Sequence, residues 1–404
     1  MANDMEPIPQ ALDDMLVLDL TTIVSGGTVT SLLADFGARV IKIENPDGGD
    51  PLRAWGPTKN GASLWWKVVS RNKQSITLNL RDPRGQDLVK QLVAKADVLV
   101  ENFRPGTMER WNLGYEALAA ANPGLVMVRI SGFGQTGPYR DRPGFGTVAE
   151  AMSGFVAQSG FPDGPPVLPP MPLADEVCGL FAALAAMIAL RYRDRRGGRG
   201  QQIDASLYEP LFRLLVPNVP QFALLGEVQP RAGNRFAGGA PRNLYRSQDG
   251  EWVAISATTQ RTFERLAQTM DRGDLAADPR FADNLSRVAN VDALDAIIQQ
   301  WMGARPLDEI LRRLEAAEAV VGPVFDARRI LSDPHYRERG DVVTIPDAEV
   351  GPLPMPGVIP HLSRTPGRIE HAGPRLGEHN DAVYGGLLGL SGDARADLSR
   401  EGVI

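Results

Sequence analysis

Cysteine is almost missing from this chain. Of 404 residues only Cys178 is a cysteine, too few for an intrachain disulfide or a CxxC-type metal site, and the expectation is a reducing, cytoplasmic setting with no metal. Histidine is scarce too: His335, His361, His371 and His379 are the only four, and none precedes residue 335. A Ser-His-Asp hydrolase or a His/Asp proton-transfer pair in the N-terminal region would have to recruit a distant C-terminal histidine, which gives weight to covalent catalysis centred on a carboxylate. Positive charge is not in excess. With 43 Lys and Arg against 49 Asp and Glu the net charge is −6, which argues against a nucleic-acid partner. Met1 to Asp14 carries neither a basic nor an apolar segment of the kind a targeting signal needs. The longest apolar run, Val177 to Leu190, has 14 residues, short of a bilayer span, and reads as a buried helix of a soluble protein with no membrane partner.

What is present is a chain of ordinary globular composition, 43% hydrophobic and 23% charged, long enough for one large domain plus a smaller one. Its 42 glycines and 32 prolines suggest many tight connections. Strand and helix signals alternate through the first two hundred residues. Met15 to Leu20 is a buried-strand run, followed by a glycine-containing turn and a helix from about Val29 to Phe36, with Gly37 at its C′ position. Val40 to Glu44, Ser75 to Leu80, Asp97 to Val100 and Leu125 to Ser131 read as further strands. Asp82-Pro83 supplies an N-cap and N1 proline for a helix to about Lys95. This alternation implies βαβ crossovers and a mostly parallel sheet.

Residues 160 to 172 hold six prolines in thirteen positions and read as a rigid, extended lead-in. A helix from Asp175 to about Arg193 comes next, apolar on every face through its middle and so expected in the core. The arginines between Arg191 and Arg199, with Gly197-Gly198, fit a solvated helix end. A segment rich in Gly, Pro and Asn from Gln229 to Asn243 reads as a hinge. Beyond it, Thr258 to about Ala319 shows amphipathic helices with Leu294, Ile297, Ile298 and Trp301 on one core stripe.

Ligands of an open parallel sheet bind beyond the carboxyl ends of its strands. Thr21 to Gly27, Glu101 to Gly106 and Ser131 to Pro138 fall there, each able to offer backbone N–H groups or to be an ordinary βα turn. Gly132, Gly134 and Gly137 spell GxGxxG, but Pro138 and Pro143 punctuate the segment after the last glycine, and neither Glu150 nor Asp163 ends a strand. A dinucleotide site is therefore not expected. Asp175, between a proline-rich segment and an apolar helix, reads either as an N-cap or as a poorly solvated nucleophile. The two are compatible, because helix N–H groups keep a carboxylate ionised.

Many short motifs, in order, make the chain recognisable: Val17 to Thr21, Leu33 to Glu44, Gly49-Asp50 with Arg53, Arg71 to Ser75, Val100 to Gly106, Ser131 to Pro138, Pro172 to Asp175, Gly198 to Gln201 with Ile203 to Leu207, and Leu376 to His379. Over nearly its whole length it resembles the class III CoA-transferases, which include formyl-CoA:oxalate, carnitine and bile-acid CoA-transferases. The resemblance implies an α/β protein with a Rossmann-like parallel-sheet large domain built from both chain ends and a smaller α+β middle domain. The domain limits are set at 1–225, 226–325 and 326–404. Two chains would interlock as a homodimer.

The resemblance also implies a CoA-transferase that moves CoA from an acyl-CoA donor to a carboxylic acid. Asp175 would carry first a mixed anhydride and then a CoA thioester, with coenzyme A as substrate and no tightly bound cofactor. Ile23, Val24 and Ser25 match a loop along the cofactor near the thioester, with Val24 where a glutamine often stands. Leu78, Asn102, Phe103 and Arg110 match CoA contacts. An arginine usual after the second strand is Asn45 here, for which Lys42 or Arg142 would substitute. Gly238 and Gly239 match a glycine-rich loop over the intermediate. Val24, with Trp65, Trp66 and Trp111 if they line the cleft, favours a medium-sized or partly apolar acid over oxalate. The alternatives are an α-methylacyl-CoA racemase, although its Gly-His-Asp has no counterpart in Pro143-Gly-Phe-Gly146, and a non-catalytic acyl-CoA-binding protein.

Overall fold

The computed structural model describes residues 9–404, so residues 1–8, part of the Met1 to Asp14 stretch read above for a targeting signal, lie outside the described residues. By the contacts its residues make, the chain divides into two compact units. The first comprises the described residues up to Phe155 together with 168–220 and 335–404; the second comprises 156–167 and 221–334. Residues 156–167, part of the first segment in the division drawn from sequence, cluster with the second unit.

The first unit is organised on six parallel strands: β1 (Leu16–Asp19), β2 (Arg39–Glu44), β3 (Lys73–Thr77), β4 (Val98–Glu101), β5 (Val126–Ser131) and β6 (Gln202–Ser206), in spatial order β3-β2-β1-β4-β5-β6. That order reverses direction between β1 and β4, which makes the crevice beyond their carboxyl ends the natural ligand site of a doubly wound sheet. Most strand residues are buried, with apolar side chains on both faces, because both faces are covered. One cluster packs Val17, Val40, Val98 and Val126 against Val29, Leu33, Ala182 and Ala186. The other packs Leu18, Ile41, Leu99 and Met127 against Leu88, Leu92, Leu118, Tyr384 and Ile404.

Helix α1 (Ser25–Asp35) starts four residues before the expected Val29. The Gly26-Gly27 pair, read from sequence as a turn, forms its first turn. A methyl group at Gly26 would overlap the Thr21 side chain, so glycine permits the tight exit from β1. Gly37 takes φ +108 after α1, as a C′ glycine should. Helix α2 (Pro83–Val93) is capped by Asp82, whose carboxylate accepts from the Arg84 N–H. The C-terminal segment is tied to β3: the His379 N–H donates to the Ser75 carbonyl at 2.9 Å, the Ser75 N–H donates to His379 Nδ1 at 3.2 Å, and the buried Tyr384 hydroxyl donates to the Thr77 carbonyl at 2.6 Å.

Among the short helices before the long one are α3 (Thr107–Arg110) after β4 and α4 (Gly146–Met152) after β5. Helix α5 (Leu173–Arg195) begins two residues before Asp175, so the aspartate lies inside the first turn and Pro172 holds the cap position. The helix is not uniformly buried, as apolarity on every face had suggested. Ala174, Cys178, Ala182, Ala186 and Ala189 pack inward, while Leu180, Leu184, Ile188 and Tyr192 are exposed. Its small residues allow close approach: a methyl at Gly179 would overlap Thr28 of α1. By length and composition alone α5 could cross a membrane, a test that the core helix of a soluble protein also passes.

The second unit has a three-stranded antiparallel sheet of β7 (Arg242–Arg246), β8 (Trp252–Ser256) and β9 (Val321–Pro323), in the order β9-β8-β7. Helices α6 (Gln260–Thr269), α7 (Asn284–Ala289), α8 (Val291–Gly303) and α9 (Leu307–Ala316) belong to it. Leu294, Ile298 and Trp301 are buried in its core with Ile297 packed alongside, so the stripe read from sequence is core.

Candidate active site

Two cavities open beyond the carboxyl ends of β1 and β4, both lined only by the first unit. One, of about 510 Å³, contains Asp175 together with Thr22 to Ser25, Asn102, Phe145, Gly146, Glu150 and Trp55. The other, of about 390 Å³, is lined by Thr21, Thr22, Lys42, Asn45, Asp50, Leu78, Arg81, Phe103 and Trp111. The loop after β1 forms a wall of both.

Asp175 is held where the chain leaves the proline-rich lead-in. Burial, with the nearby charges of Glu150 and Glu176, pushes its carboxyl up to about 6, against the opposing effect of hydrogen bonds from its own backbone N–H and the Ser25 hydroxyl. A methyl group at Gly146 would overlap the Asp175 carboxylate, so glycine leaves the carboxylate room to lie where it does. Glu150, 3% exposed on α4, accepts the Ala174 N–H of α5 through Oε1 at 3.2 Å. Glu176 accepts from the Thr28 hydroxyl at 2.9 Å. Cys178, one turn below, is pushed up to about 12 by burial and by Asp175 and Glu209, so it is an inert thiol. No lysine, arginine or histidine is among the described residues lining the Asp175 cavity.

The facing loop is fixed from three sides. Asn102 Oδ1 accepts the Thr22 N–H and its Nδ2 donates to the Thr22 carbonyl, both at 2.8 Å, so this side chain is engaged in clamping the loop. Ile23 has φ +66, a left-handed conformation that is an outlier for a β-branched residue, and its N–H donates to Asp50 Oδ1 at 3.1 Å. Behind it lies a buried ion network. Lys42 Nζ is 3.0 Å from Asp50 Oδ2 and 3.4 Å from Asp19, and Lys73 Nζ is 3.1 Å from Asp19. Burial would raise the Asp19 carboxyl, but Lys42, Lys73 and the hydroxyls of Thr21 and Thr30 hold it well below the usual carboxylate range.

Of the residues singled out from sequence, Ile23, Val24, Ser25, Asn102 and Asp175 share one cavity, while Leu78 and Phe103 line the other. Arg110 and Arg142 line neither. Arg110 is exposed on α3 and donates to the Thr107 hydroxyl at 2.9 Å. Arg142 is exposed, with its guanidinium 3.6 Å from the Tyr139 ring centroid. Lys42 lines the second cavity but is committed to the two aspartates. Trp66 is buried beneath Arg53, and Trp111 packs on Phe103 in the wall of the second cavity; the aromatic residues lining the Asp175 cavity are Trp55 and Phe145. Gly238 and Gly239 lie in the second unit, where Asn284 Nδ2 donates to the Gly238 carbonyl at 3.1 Å and the buried Arg287 donates to the Ala240 carbonyl at 2.9 Å. Trp55, Gly146 and Glu150 were not named as site residues from sequence.

The sequence profile of CoA-transferase family III matches residues 12–380. The succinyl-CoA–D-citramalate CoA-transferase of Chloroflexus aurantiacus is 45% identical over 397 residues, covering 98% of each chain. The acetyl-CoA:oxalate CoA-transferase of Acetobacter aceti is 36% identical over 92% of this chain and 94% of its own. Among solved structures, a CAIB/BAIF family protein from Brucella suis superposes with a TM-score of 0.83 at 33% identity, over 94% of this chain and 100% of that one. A partly buried carboxylate at the switch point of a doubly wound sheet thus comes with a match over nearly the whole chain: the protein belongs to CoA-transferase family III and is a CoA-transferase.

Proposed function

We propose that this enzyme moves CoA from an acyl-CoA donor to a carboxylic acid through two covalent states of Asp175. A carboxylate oxygen of Asp175 attacks the thioester carbonyl, and CoA leaves as thiolate, giving a mixed anhydride. The thiolate then attacks the Asp175 carbonyl carbon, expelling the donor's carboxylate and leaving an aspartyl–CoA thioester. The acceptor carboxylate attacks that carbon, releases thiolate and forms a second anhydride; the thiolate attacks the acceptor's acyl carbon and frees Asp175. Every nucleophile and leaving group is a carboxylate or a thiolate, so no net proton moves and no general base is required. The observation that carries this reading is the Asp175 carboxylate, one wall of a cavity at the β1/β4 crevice, held less acidic than a free aspartate by burial and neighbouring carboxylates.

Succinyl-CoA is the donor to test first, because the C. aurantiacus relative is named for it. For the acceptor we propose a medium-sized or partly apolar acid rather than oxalate, since Val24, Trp55, Leu168 and Met171 line the cavity. We further propose that the enzyme works as an interlocked homodimer, for which the exposed apolar side chains along α5 supply a surface. The racemase alternative lacks support, with no histidine among the described residues of this cavity. The test is incubation with succinyl-CoA and a panel of acids including D-citramalate, L-malate and oxalate, followed by chromatography of the CoA esters. A new ester from wild type and none from Asp175→Ala is expected. Equal yields from both, or none with any acid, would contradict the proposal, and oxalate as the preferred acceptor would refute the specificity.

A further inference from the structure

The loop between β1 and α1 contains a conformation that costs energy. Ile23 sits at φ +66, where a side chain branched at Cβ crowds its own backbone. A glycine there would be free of the cost. The strain persists because the surroundings fix the residue from both sides. On one side Asn102 pairs with both backbone groups of Thr22 at 2.8 Å. On the other, Asp50 Oδ1 accepts the N–H of Ile23 at 3.1 Å and that of Leu52 at 2.8 Å.

Asp50 is itself pinned. It is 3% exposed, its Oδ2 lies 3.0 Å from Lys42 Nζ, and its own N–H donates to Glu44 Oε2 at 3.0 Å. Lys42 is 2% exposed, pairs also with Asp19, and donates to the Thr21 carbonyl, so the same ammonium grips the loop at its root. Removing one partner of such a buried set leaves the others uncompensated, which makes the arrangement stiff. Two residues past Ile23 stands Ser25, whose hydroxyl reaches Asp175 and lies 3.5 Å from Asn102 Nδ2. Lys42 and Asp50 line the second cavity, while Ile23 and Ser25 line the Asp175 cavity.

We propose that the buried Lys42–Asp50 pair is a positioning device that holds Ile23 left-handed, and so fixes Val24 and Ser25 against the Asp175 carboxylate from the floor of the neighbouring cavity. Asp50 is a positioning residue: it acts through the loop. A ligand group that reaches Lys42 or Asp50 in the second cavity is therefore felt at Asp175. The proposal rests on Asp175 being the reacting carboxylate, but its structural half stands apart from that reading.

The test compares Asp50→Ala with Asp50→Asn, whose amide oxygen still accepts the Ile23 and Leu52 N–H groups. In Asp50→Ala the rate of Asp175 acylation by succinyl-CoA falls on the order of 100-fold with little change in KM, as expected when a reacting group is misplaced by about 1 Å. Asp50→Asn keeps that acceptor but loses the ion pair with Lys42, so it recovers only part of the rate; full recovery would refute the part given to the ion pair. Hydrogen exchange of the peptide spanning residues 20–26 speeds up most in Asp50→Ala and less in Asp50→Asn. If Asp50→Ala folds with wild-type exchange in this peptide and keeps the wild-type acylation rate, the brace is refuted. If Asp50→Asn is as impaired as Asp50→Ala on both readouts, the acceptor role is refuted as well. Should wild type form no adduct with any ester, the Asp175 reading falls, while the exchange rates still decide whether Asp50 holds the loop.

Discussion

Replacing Asp175, the proposed nucleophile, should make this enzyme more stable, and by an amount that depends on pH. The Asp175 carboxyl is raised from 3.8 to about 6, first by burial and then by Glu150 and Glu176. A carboxyl raised in the fold disfavours its own ionised form. Below the unfolded value both states are protonated and no penalty exists; the penalty grows as pH rises through about 6 and is complete above it. A shift of about two units corresponds to about 3 kcal/mol. Asp175→Asn removes the charge at nearly constant shape. For a unit of roughly 280 residues, with an unfolding entropy of about 2.1 cal/mol/K per residue, that is a gain of about 5 °C in Tm at pH 8 and about 1 °C at pH 4. Calorimetry of both proteins at the two pH values measures it. A Tm at pH 8 equal to or below wild type, or a gain independent of pH, would refute the reasoning.

Glu150→Gln keeps an oxygen for the Ala174 N–H but removes a negative charge beside Asp175, so the acid limb of the acylation rate should move down by about half a pH unit or more. An unmoved limb would show that Glu150 does not act on Asp175 electrostatically. In light scattering the wild type should run at twice the 43.7 kDa of one chain, while Leu184→Glu with Ile188→Glu, on the exposed face of α5, should lower that mass or precipitate the protein. A monomeric wild type would contradict the homodimer.

Much of the sheet was legible because its signals are local. Val40, Ile41 and Ile43 make a β-branched run, Asp82-Pro83 opens a helix, and Gly37 closes one. What misled was context. Gly26-Gly27 carries a turn's composition but is helix, because the close approach of Thr21 requires glycine. Asp175 carries an N-cap's composition but sits inside the first turn, since Leu173 and Ala174 can begin the helix after Pro172. An apolar run cannot say which face will be covered, so the exposed side of α5 was invisible. The left-handed Ile23 and the clamp by Asn102 depend on residues 27 and 80 positions away, beyond any short motif. The setting of Asp175 between a proline-rich segment and an apolar helix singled it out as an N-cap or a nucleophile; the resemblance to a known family favoured the nucleophile and brought in Ile23, Val24 and Asn102, which the structure places around the same cavity.

The most direct test of the central claim is the intact mass of the protein after brief exposure to succinyl-CoA, with and without hydroxylamine, beside Asp175→Ala. The account predicts a CoA-sized adduct on wild type that hydroxylamine removes and that the variant never forms. An equal adduct on Asp175→Ala, or turnover of succinyl-CoA and acceptor without any adduct on wild type under hydroxylamine-free quench, would contradict it.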